Sequence, residues 1–533
     1  MRVIIIGGGA AGSSCATRLR RLNEAAEILV LEKTGENSIA SCGLPYFIGD
    51  VITNKNQMQV AKPELFKNLF NIEVIHHVEV THVDVKAHQI YTQTGACYDY
   101  DKLVIATGVK PIIPAIAGQE NIPSFCVKSL ADADKIKSFI QTQHPKSALI
   151  VGAGYIGIEM AENLTHLGLN VHVIDKKRQI LPYFDPEMAR ILENKLTKQD
   201  VVLHLESVLS EVDSNGMCHL SNGDEIKVDM LIFALGVQPE TSFLHNLDIA
   251  LDNNGAILTN EYMQTNQTDI YAAGDAVAVK DFVLPVSGVR ALAGPANRQG
   301  RLIADHIMGY QYPYTGTQGT SIIKVFDTTA AITGANEEGL KSHHIPYQKM
   351  VITSHSHAGY YPGGSEITFK LLYNHKGEIL GASAIGAEGV DKTINVVATV
   401  MRLKGTIYDM RDAELCYAPP YSSAKDVINL MGMAIENQLR GLVDGYFEMD
   451  FDAYFVLDVR PTQMYQQGHI SGAVNIPFFE LRNRLDELPT NKPILVYCVR
   501  GYTSYVVTRM LLQHGFKNVV SFAGGWQYYQ QIS

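Results

Sequence analysis

Cys42 lies in the segment SIASCGLPYFIGD (residues 38–50) with no second cysteine close by; the next is Cys97. A thiolate there can attack a disulfide or persulfide sulfur, or pass through a sulfenic acid. Without a resolving neighbour, its sulfur partner must come from outside. Pro45 suits the first turn of a helix beginning near Gly43–Pro45. At such a terminus the dipole and free N–H groups are expected to stabilise the thiolate and lower its pKa. A second thiol, Cys498, stands in PILVYCVRGYTSYVVTRML (493–511), directly after an apolar strand pattern and before a helical one. A short loop there turns several backbone N–H groups toward one point, a nest for an anion or a persulfide, with Arg500 as the local cation. A phosphatase loop would need arginine six residues after the cysteine, and that residue is Ser504.

A second chemistry is written in glycine. MRVIIIGGGAAG runs from a strand pattern at Arg2–Ile6 into Gly7, Gly9 and Gly12, then a helix through Arg21 and a strand from Glu27 ending in Glu32. SALIVGAGYIGIEMAENLTHLGLNVHVID repeats it with Gly152, Gly154, Gly157 and a strand ending in Asp175. In each loop the first glycine permits a tight turn and the second lets backbone approach a pyrophosphate. The third packs helix on strand, and the terminal acid can bond a ribose. Two such units imply two dinucleotides. YDKLVIATG (100–108) and IYAAGDA (270–276) add small-residue turns after strands, and Asp275 is a candidate ligand for a ribityl hydroxyl.

The elements that must position these groups are α/β in type. After residue 320 the strand patterns SIIKVF and EITFKLLYN precede a helix around Asp391–Leu403. QLRGLVDGYFEMD (438–450) reads as a linker. YFVLDVR, PILVYC and NVVSFAGG beyond it read as strands of a small separate α/β domain. A net charge of −11 over 533 residues argues against nucleic acid or an anionic membrane as partner. No apolar run approaches the roughly 20 residues of a membrane helix. Seven scattered cysteines form neither a disulfide framework nor a metal site, which suits a reduced, cytoplasmic protein.

Together these motifs resemble the FAD-dependent pyridine nucleotide-disulfide oxidoreductase family over about residues 1–440. The resemblance implies an FAD-binding domain at 1–112 and 243–320, an NAD(P)H-binding domain at 113–242 and a dimerisation domain at 321–440. A linker at 441–447 would follow. It implies that FAD is held by Gly7, Gly9, Ala11, Gly12, Glu32 and Lys33, with Ser41, Val80, Thr107, Gly108, Asp275 and Ala293. The nicotinamide cofactor would be held by Gly152, Gly154, Tyr155, Ile156, Gly157, Asp175 and Gly236. Asp175 suits NADH, while Lys176, Lys177 and Arg178 could accept the extra phosphate of NADPH, so both stay open.

SxxSCGLPYxxGD is shared in outline by coenzyme A-disulfide reductases, NADH oxidases and NADH peroxidases of this family. The peroxidases carry a histidine where this chain has Ala10 and Ala11. HAGYYPGG (357–364) and YAPPYSSAKD (417–426) resemble the tyrosine segments of the coenzyme A-disulfide reductase subgroup. That subgroup implies a homodimer in which Tyr360 and Tyr417 reach the active cysteine of the other protomer, where a phenol can act as general acid. It further implies Ser14, Arg18, Arg21, Ser38, Ser41, Asn297 and Lys425 as contacts for coenzyme A; Arg18 and Arg21 share a helix face. Ser41 departs from the asparagine often found before the cysteine.

Residues 448–533 resemble a rhodanese sulfurtransferase domain through VLDVR (456–460), GHISGAVNIP (468–477) and the Cys498 loop. Thr503 replaces the basic residue that many rhodaneses carry five residues after the cysteine. The tandem resembles NAD(P)H-dependent persulfide or polysulfide reductases that also take coenzyme A disulfide, with Cys498 exchanging sulfane sulfur with Cys42. Alternatives are a plain coenzyme A-disulfide reductase with an accessory rhodanese, an oxidase cycling Cys42 through sulfenic acid, and a non-catalytic redox or sulfide sensor.

Overall fold

A computed structural model describes residues 1–245 and 247–533; residue 246, inside the expected 243–320 segment, lies outside them. The chain forms two units, Met1–Leu181 with Gln199–Gly319, and Pro182–Lys198 with Thr320–Ser533.

In the first unit, strand Arg2–Ile6 lies between Glu27–Glu32 and Lys102–Ile105, with Glu73–His76 and Ile270–Ala272 at the edges. Every pairing is parallel. The run Val3–Ile5 is fully buried, as a strand covered on both faces requires. A second five-stranded sheet repeats the plan. Ser147–Val151 lies between Asn170–Asp175 and Met230–Phe233, again in parallel, with Val202–Leu205 and Ser124–Cys126 outermost. In both sheets the glycine loop leaves the carboxyl end of the strand whose neighbours diverge to either side. That is where an open α/β sheet presents its ligand crevice.

The second unit holds an antiparallel sheet in the order Ser321–Val325, Thr328–Gly334, Ile379–Gly386, Glu366–Tyr373, Gln348–His355. Its C-terminal sheet is parallel, with Ile494–Tyr497 central between Phe455–Asp458 and Val519–Phe522. Residues 441–447, expected as a linker, include strand Asp444–Tyr446, which pairs with Val519–Phe522 at the sheet edge. Two glycines make that stretch read as a loop, but its backbone finds partners only on folding.

Helix Pro186–Thr197 groups with the second unit, although the sequence reading placed it in the 113–242 domain. The fully buried Lys370 explains this. Its ammonium is 2.7 Å from Asp185 and also pairs with Glu187 and Glu337, so the carboxylates compensate a charge that burial alone would neutralise.

Candidate functional site

The first glycine loop is built by close approach. Gly7 has φ +101°, and a Cβ there would stand 2.3 Å from the Ala106 carbonyl; one on Gly12 would stand 2.0 Å from that of Gly7. At Gly9 nothing lies within 4 Å, so backbone is open to a ligand. Gly9 caps helix Ala10–Leu22 without a side-chain bond, leaving N–H groups for an anion. Glu32 is locked to this loop: its carboxylate accepts from Gly8 N (2.7 Å), Thr34 N (2.8 Å) and Thr34 Oγ1 (2.7 Å).

Several other expected FAD residues surround the carboxyl ends of these strands. Thr107 Oγ1 is buried without a partner among the described residues. Gly108 follows it at φ +70°. Asp275 sits in the turn Gly274–Ala276, where burial raises its carboxyl pKa and Lys128 opposes the rise. Ala293 opens helix Ala293–Ile307, and Val80 begins the buried edge of strand Val80–Asp84. Lys33 points elsewhere, pairing with Glu79 at 2.8 Å on the surface.

Helices Ala10–Leu22 and Ala293–Ile307 touch where a Cβ on Gly300 would stand 2.1 Å from the Ala11 carbonyl. That contact joins three residues expected to meet coenzyme A. Ser14 Oγ donates to the Asn297 carbonyl (2.9 Å), and Arg18 pairs with Asp305 at 2.7 Å on the same helix. Arg21 is exposed, its guanidinium over the Phe70 ring at 5.9 Å. Ser38 holds φ 54° and donates its N–H to Gly8 O (2.8 Å), tying the Cys42 segment to the glycine loop.

The second loop is nearly superimposable in its logic. Gly152 has φ +115° and a Cβ would lie 2.4 Å from the Ala234 carbonyl; on Gly157 it would lie 2.0 Å from that of Gly152. Gly154 is open, Gly236 holds φ +98°, and Tyr155 and Ile156 begin the helix Tyr155–His166. Asp175 accepts from Ala153 N (2.8 Å) and Lys177 N (2.9 Å). Lys176, Lys177 and Arg178 are exposed. Each loop thus offers open glycine backbone and a locked acid, and the first adds a buried unpaired hydroxyl at Thr107.

Cys42 is exposed, in the turn Ser41–Gly43 ahead of a five-residue helix, Leu44–Ile48, with Pro45 in its first turn. The helix start is as expected; the lowered thiol pKa is not. What burial the sulfur has pushes the thiol up, and the carboxylates of Glu159 and Asp275 add to it, against a hydrogen bond from Ser41. Burial and two nearby negative charges outweigh the small dipole of so short a helix. Sequence reading missed Glu159 and its partner Tyr46, which donates to Glu159 Oε1 at 3.3 Å. The available signal was an acid two residues past the third glycine of the second loop. Gln299, which accepts from Gly274 N at 2.8 Å, was missed too.

In the second unit Tyr360 and Tyr417 come together from distant segments, their hydroxyls 2.9 Å apart. Both are exposed, as are Tyr361 and Tyr421 beside them in sequence. Lys425 is exposed immediately before Asp426, the N-cap of helix Val427–Leu439.

Cys498 follows the central strand Ile494–Tyr497 and is 4% exposed. Gly501 N–H donates to its sulfur at 3.2 Å, and Gly501 caps the helix Tyr502–Gln513 at φ +98°. The Gly501 N–H is the donor recorded on the sulfur, and Arg500 is not a free cation. Its Nε donates to Gln527 Oε1 (2.7 Å) and Glu366 Oε1 (3.3 Å). The deeper Arg460 is sealed against Asp458 at 2.6 Å and lies over Trp526.

Residues 1–300 match the family described as pyridine nucleotide-disulphide oxidoreductase, residues 320–428 its dimerisation domain and residues 446–532 the rhodanese-like domain. The chain is 32% identical over 438 residues to coenzyme A disulfide reductase of Staphylococcus haemolyticus, covering 81% of this chain and 98% of that protein. The crystal structure of reduced Bacillus anthracis CoADR-RHD is similar at a TM-score of 0.96 and 40% identity, covering 100% of this chain and 98% of that one. A NAD-dependent persulfide reductase from A. fulgidus is similar at a TM-score of 0.95 and 32% identity, covering 99% of this chain and 100% of that one. The chain belongs to the pyridine nucleotide-disulphide oxidoreductase family, as an FAD- and NAD(P)H-dependent oxidoreductase that carries a dimerisation domain and a C-terminal rhodanese-like domain.

Proposed function

We propose that this enzyme reduces persulfides and polysulfides, coenzyme A persulfide among them, as well as coenzyme A disulfide, and couples this to sulfur transfer at Cys498. What carries the reading is one chain holding a solitary exposed thiol beside two dinucleotide loops and a second thiol in a backbone nest. The names of its relatives, a coenzyme A disulfide reductase and a persulfide reductase, support both halves.

FAD, when held by the Gly7–Gly12 loop, Glu32, Thr107 and Asp275, supplies the two-electron link between nicotinamide and sulfur. The chain's own part begins at Cys42. Its thiolate attacks the disulfide of R–S–S–R: one S–S bond breaks, another forms, and RS⁻ departs. With R–S–SH, attack at the inner sulfur releases HS⁻ and leaves Cys42–S–S–R. Two electrons then cleave that bond, returning the Cys42 thiolate and releasing RSH. Ser14, Arg18, Arg21, Ser38, Ser41, Asn297 and Lys425 would hold coenzyme A. The paired phenols of Tyr360 and Tyr417 would serve the departing thiolate of the other protomer.

At Cys498 the thiolate accepts the outer sulfur of a persulfide, releasing RS⁻ and forming Cys498–S–SH, which a coenzyme A thiolate takes up as CoA–S–SH. With Arg500 committed to Glu366 and Gln527, a persulfide suits this loop better than the dianion thiosulfate. The test is anaerobic NADH consumption with coenzyme A persulfide, coenzyme A disulfide or polysulfide, set against oxygen alone. Turnover with the sulfur compounds is expected. Turnover with oxygen only would overturn the reading.

A further inference from the structure

Cys498 lies at the floor of an apolar rim. Strand Phe455–Asp458 runs beside the central strand, and Val459 N–H donates to Tyr497 O at 3.1 Å. Phe478 N–H donates in turn to Val459 O at 3.0 Å. The backbone of Phe478 is therefore about two strand spacings, roughly 10 Å, from that of Tyr497 and Cys498. Closer still, Tyr502 follows Gly501, whose N–H meets the sulfur, and opens helix Tyr502–Gln513. Cys498, Ile476, Leu481 and Val507 share one buried cluster, so the Phe478 segment and this helix cover the same face of the sheet.

Phe478, Phe479, Tyr502 and Val506 are 45, 62, 73 and 41% exposed. The two phenylalanine rings meet edge-on with centroids 5.6 Å apart, and Tyr502 and Val506 share a helix face at i, i+4 spacing. Seven large apolar side chains are exposed over residues 448–533, and these four gather about one buried thiol. Such grouping, unlike a scattered exposed side chain, is the pattern of a surface that meets a ligand.

The rim offers a donor no net charge. Segments 458–461, 476–487 and 498–503 carry four arginines and four carboxylates. Arg460 is sealed against Asp458, Arg484 pairs with Glu480 (2.9 Å) and Glu487 (2.6 Å), and Arg500 meets Glu366. Arg482 and Asp486 are exposed, where solvent and salt screen them. An anion would give up its hydration for cations already paired, whereas an uncharged arm gives up only its contact with water.

We propose that Phe478, Phe479, Tyr502 and Val506 form the donor subsite of Cys498 and select organic persulfides with an uncharged, apolar arm. This rests on Cys498 accepting sulfur in the proposed reaction. In that step Cys498–S⁻ attacks the outer sulfur of R–S–SH. The donor S–S bond breaks, that of Cys498–S–SH forms, and RS⁻ leaves to take a proton from solvent. The thiol is only 4% exposed, so the terminal –S–SH enters while R stays against the rim. Apolar surface on R is thereby buried in the step that loads the enzyme.

The experiment treats full-length, flavin-bound protein with methyl, propyl and pentyl persulfide, and with a pentyl persulfide bearing a terminal carboxylate. Peptide mass spectrometry reads the rate at which Cys498 gains one sulfur. In the parent this rate constant is expected to rise about two- to fourfold per added methylene, the upper figure being full burial. The carboxylate compound should fall back toward the methyl rate. Phe478→Ser with Phe479→Ser should flatten the series to below about 1.5-fold per methylene and leave the methyl rate within about twofold. Both side chains are exposed, so the buried cluster is left intact. A flat series in the parent, a slope that survives the double variant, or equal loading by the pentyl compound and its carboxylate overturns the proposal. So does an equal loss for every donor, the mark of a purely structural role. If the double variant fails to fold, Tyr502→Ser decides, and an unchanged slope there overturns the proposal. No loading of Cys498 by any donor would overturn the sulfur-transfer reading and the subsite with it; loading without a slope overturns the subsite alone.

Discussion

Cys42 and Cys498 are both solitary thiols, yet their surroundings are opposite. Cys42 is exposed, in a turn before a five-residue helix, and faces the carboxylates of Glu159 and Asp275. Cys498 is buried at the end of a central parallel strand, receives a backbone N–H from Gly501 and precedes a twelve-residue helix. Negative surroundings suit a sulfur that must be released from its partner after each turnover. A backbone nest suits one that must hold an anionic perthiolate. The two thiols thus stand in different surroundings, one facing carboxylates and the other meeting a backbone N–H.

The largest test of this division exchanges each sulfur for oxygen. Cys42→Ser should lower coenzyme A disulfide reduction by about 10³-fold or more while flavin absorbance and sulfur transfer persist. Cys498→Ser should abolish sulfur transfer and leave disulfide reduction within about twofold. Equal damage to both activities by either variant breaks the comparison.

A smaller effect is expected at Gly501. Its φ of +98° strains any side chain, whereas the nearest atom to an added Cβ, Gly524 N, lies at an ordinary 3.5 Å. Gly501→Ala should therefore act through backbone strain of about 1–2 kcal/mol, moving the N–H off the sulfur. Sulfur-transfer kcat/KM should fall about tenfold with disulfide reduction unchanged.

The smallest effect concerns Arg500. Its pair with Glu366 is partly exposed, the side chains 35% and 29% accessible, so its loss costs under about 1 kcal/mol. Glu366→Gln should nonetheless release positive charge toward the loop. The ratio of thiosulfate to persulfide kcat/KM should rise about two- to fivefold, a range that such a pair can supply. A constant ratio would show that Arg500 does not set donor charge.

Much of this was legible in the chain. Arg2–Ile6 and Ser147–Val151 read as buried parallel strands because they are apolar without alternation. Their glycines read as loops because close backbone approach admits no side chain. Strand Asp444–Tyr446 was not legible, since its pairing belongs to Val519–Phe522. The strand pattern EITFKLLYN says nothing of what meets Lys370, and only folding surrounds it with Asp185, Glu187 and Glu337.

The sequence alone determined the two glycine loops, the solitary Cys42 and the strand–loop–helix around Cys498, because each depends on residues within one turn or one βαβ unit. Tertiary structure decided the charge each cysteine feels. Glu159 and Asp275 reach Cys42 from distant segments, and Glu366 reaches Arg500 from another sheet. A short helix start predicts a lowered thiol pKa. Burial and the carboxylates that folding delivers reverse that sign, since solvent exclusion and charge act through space and not along the chain.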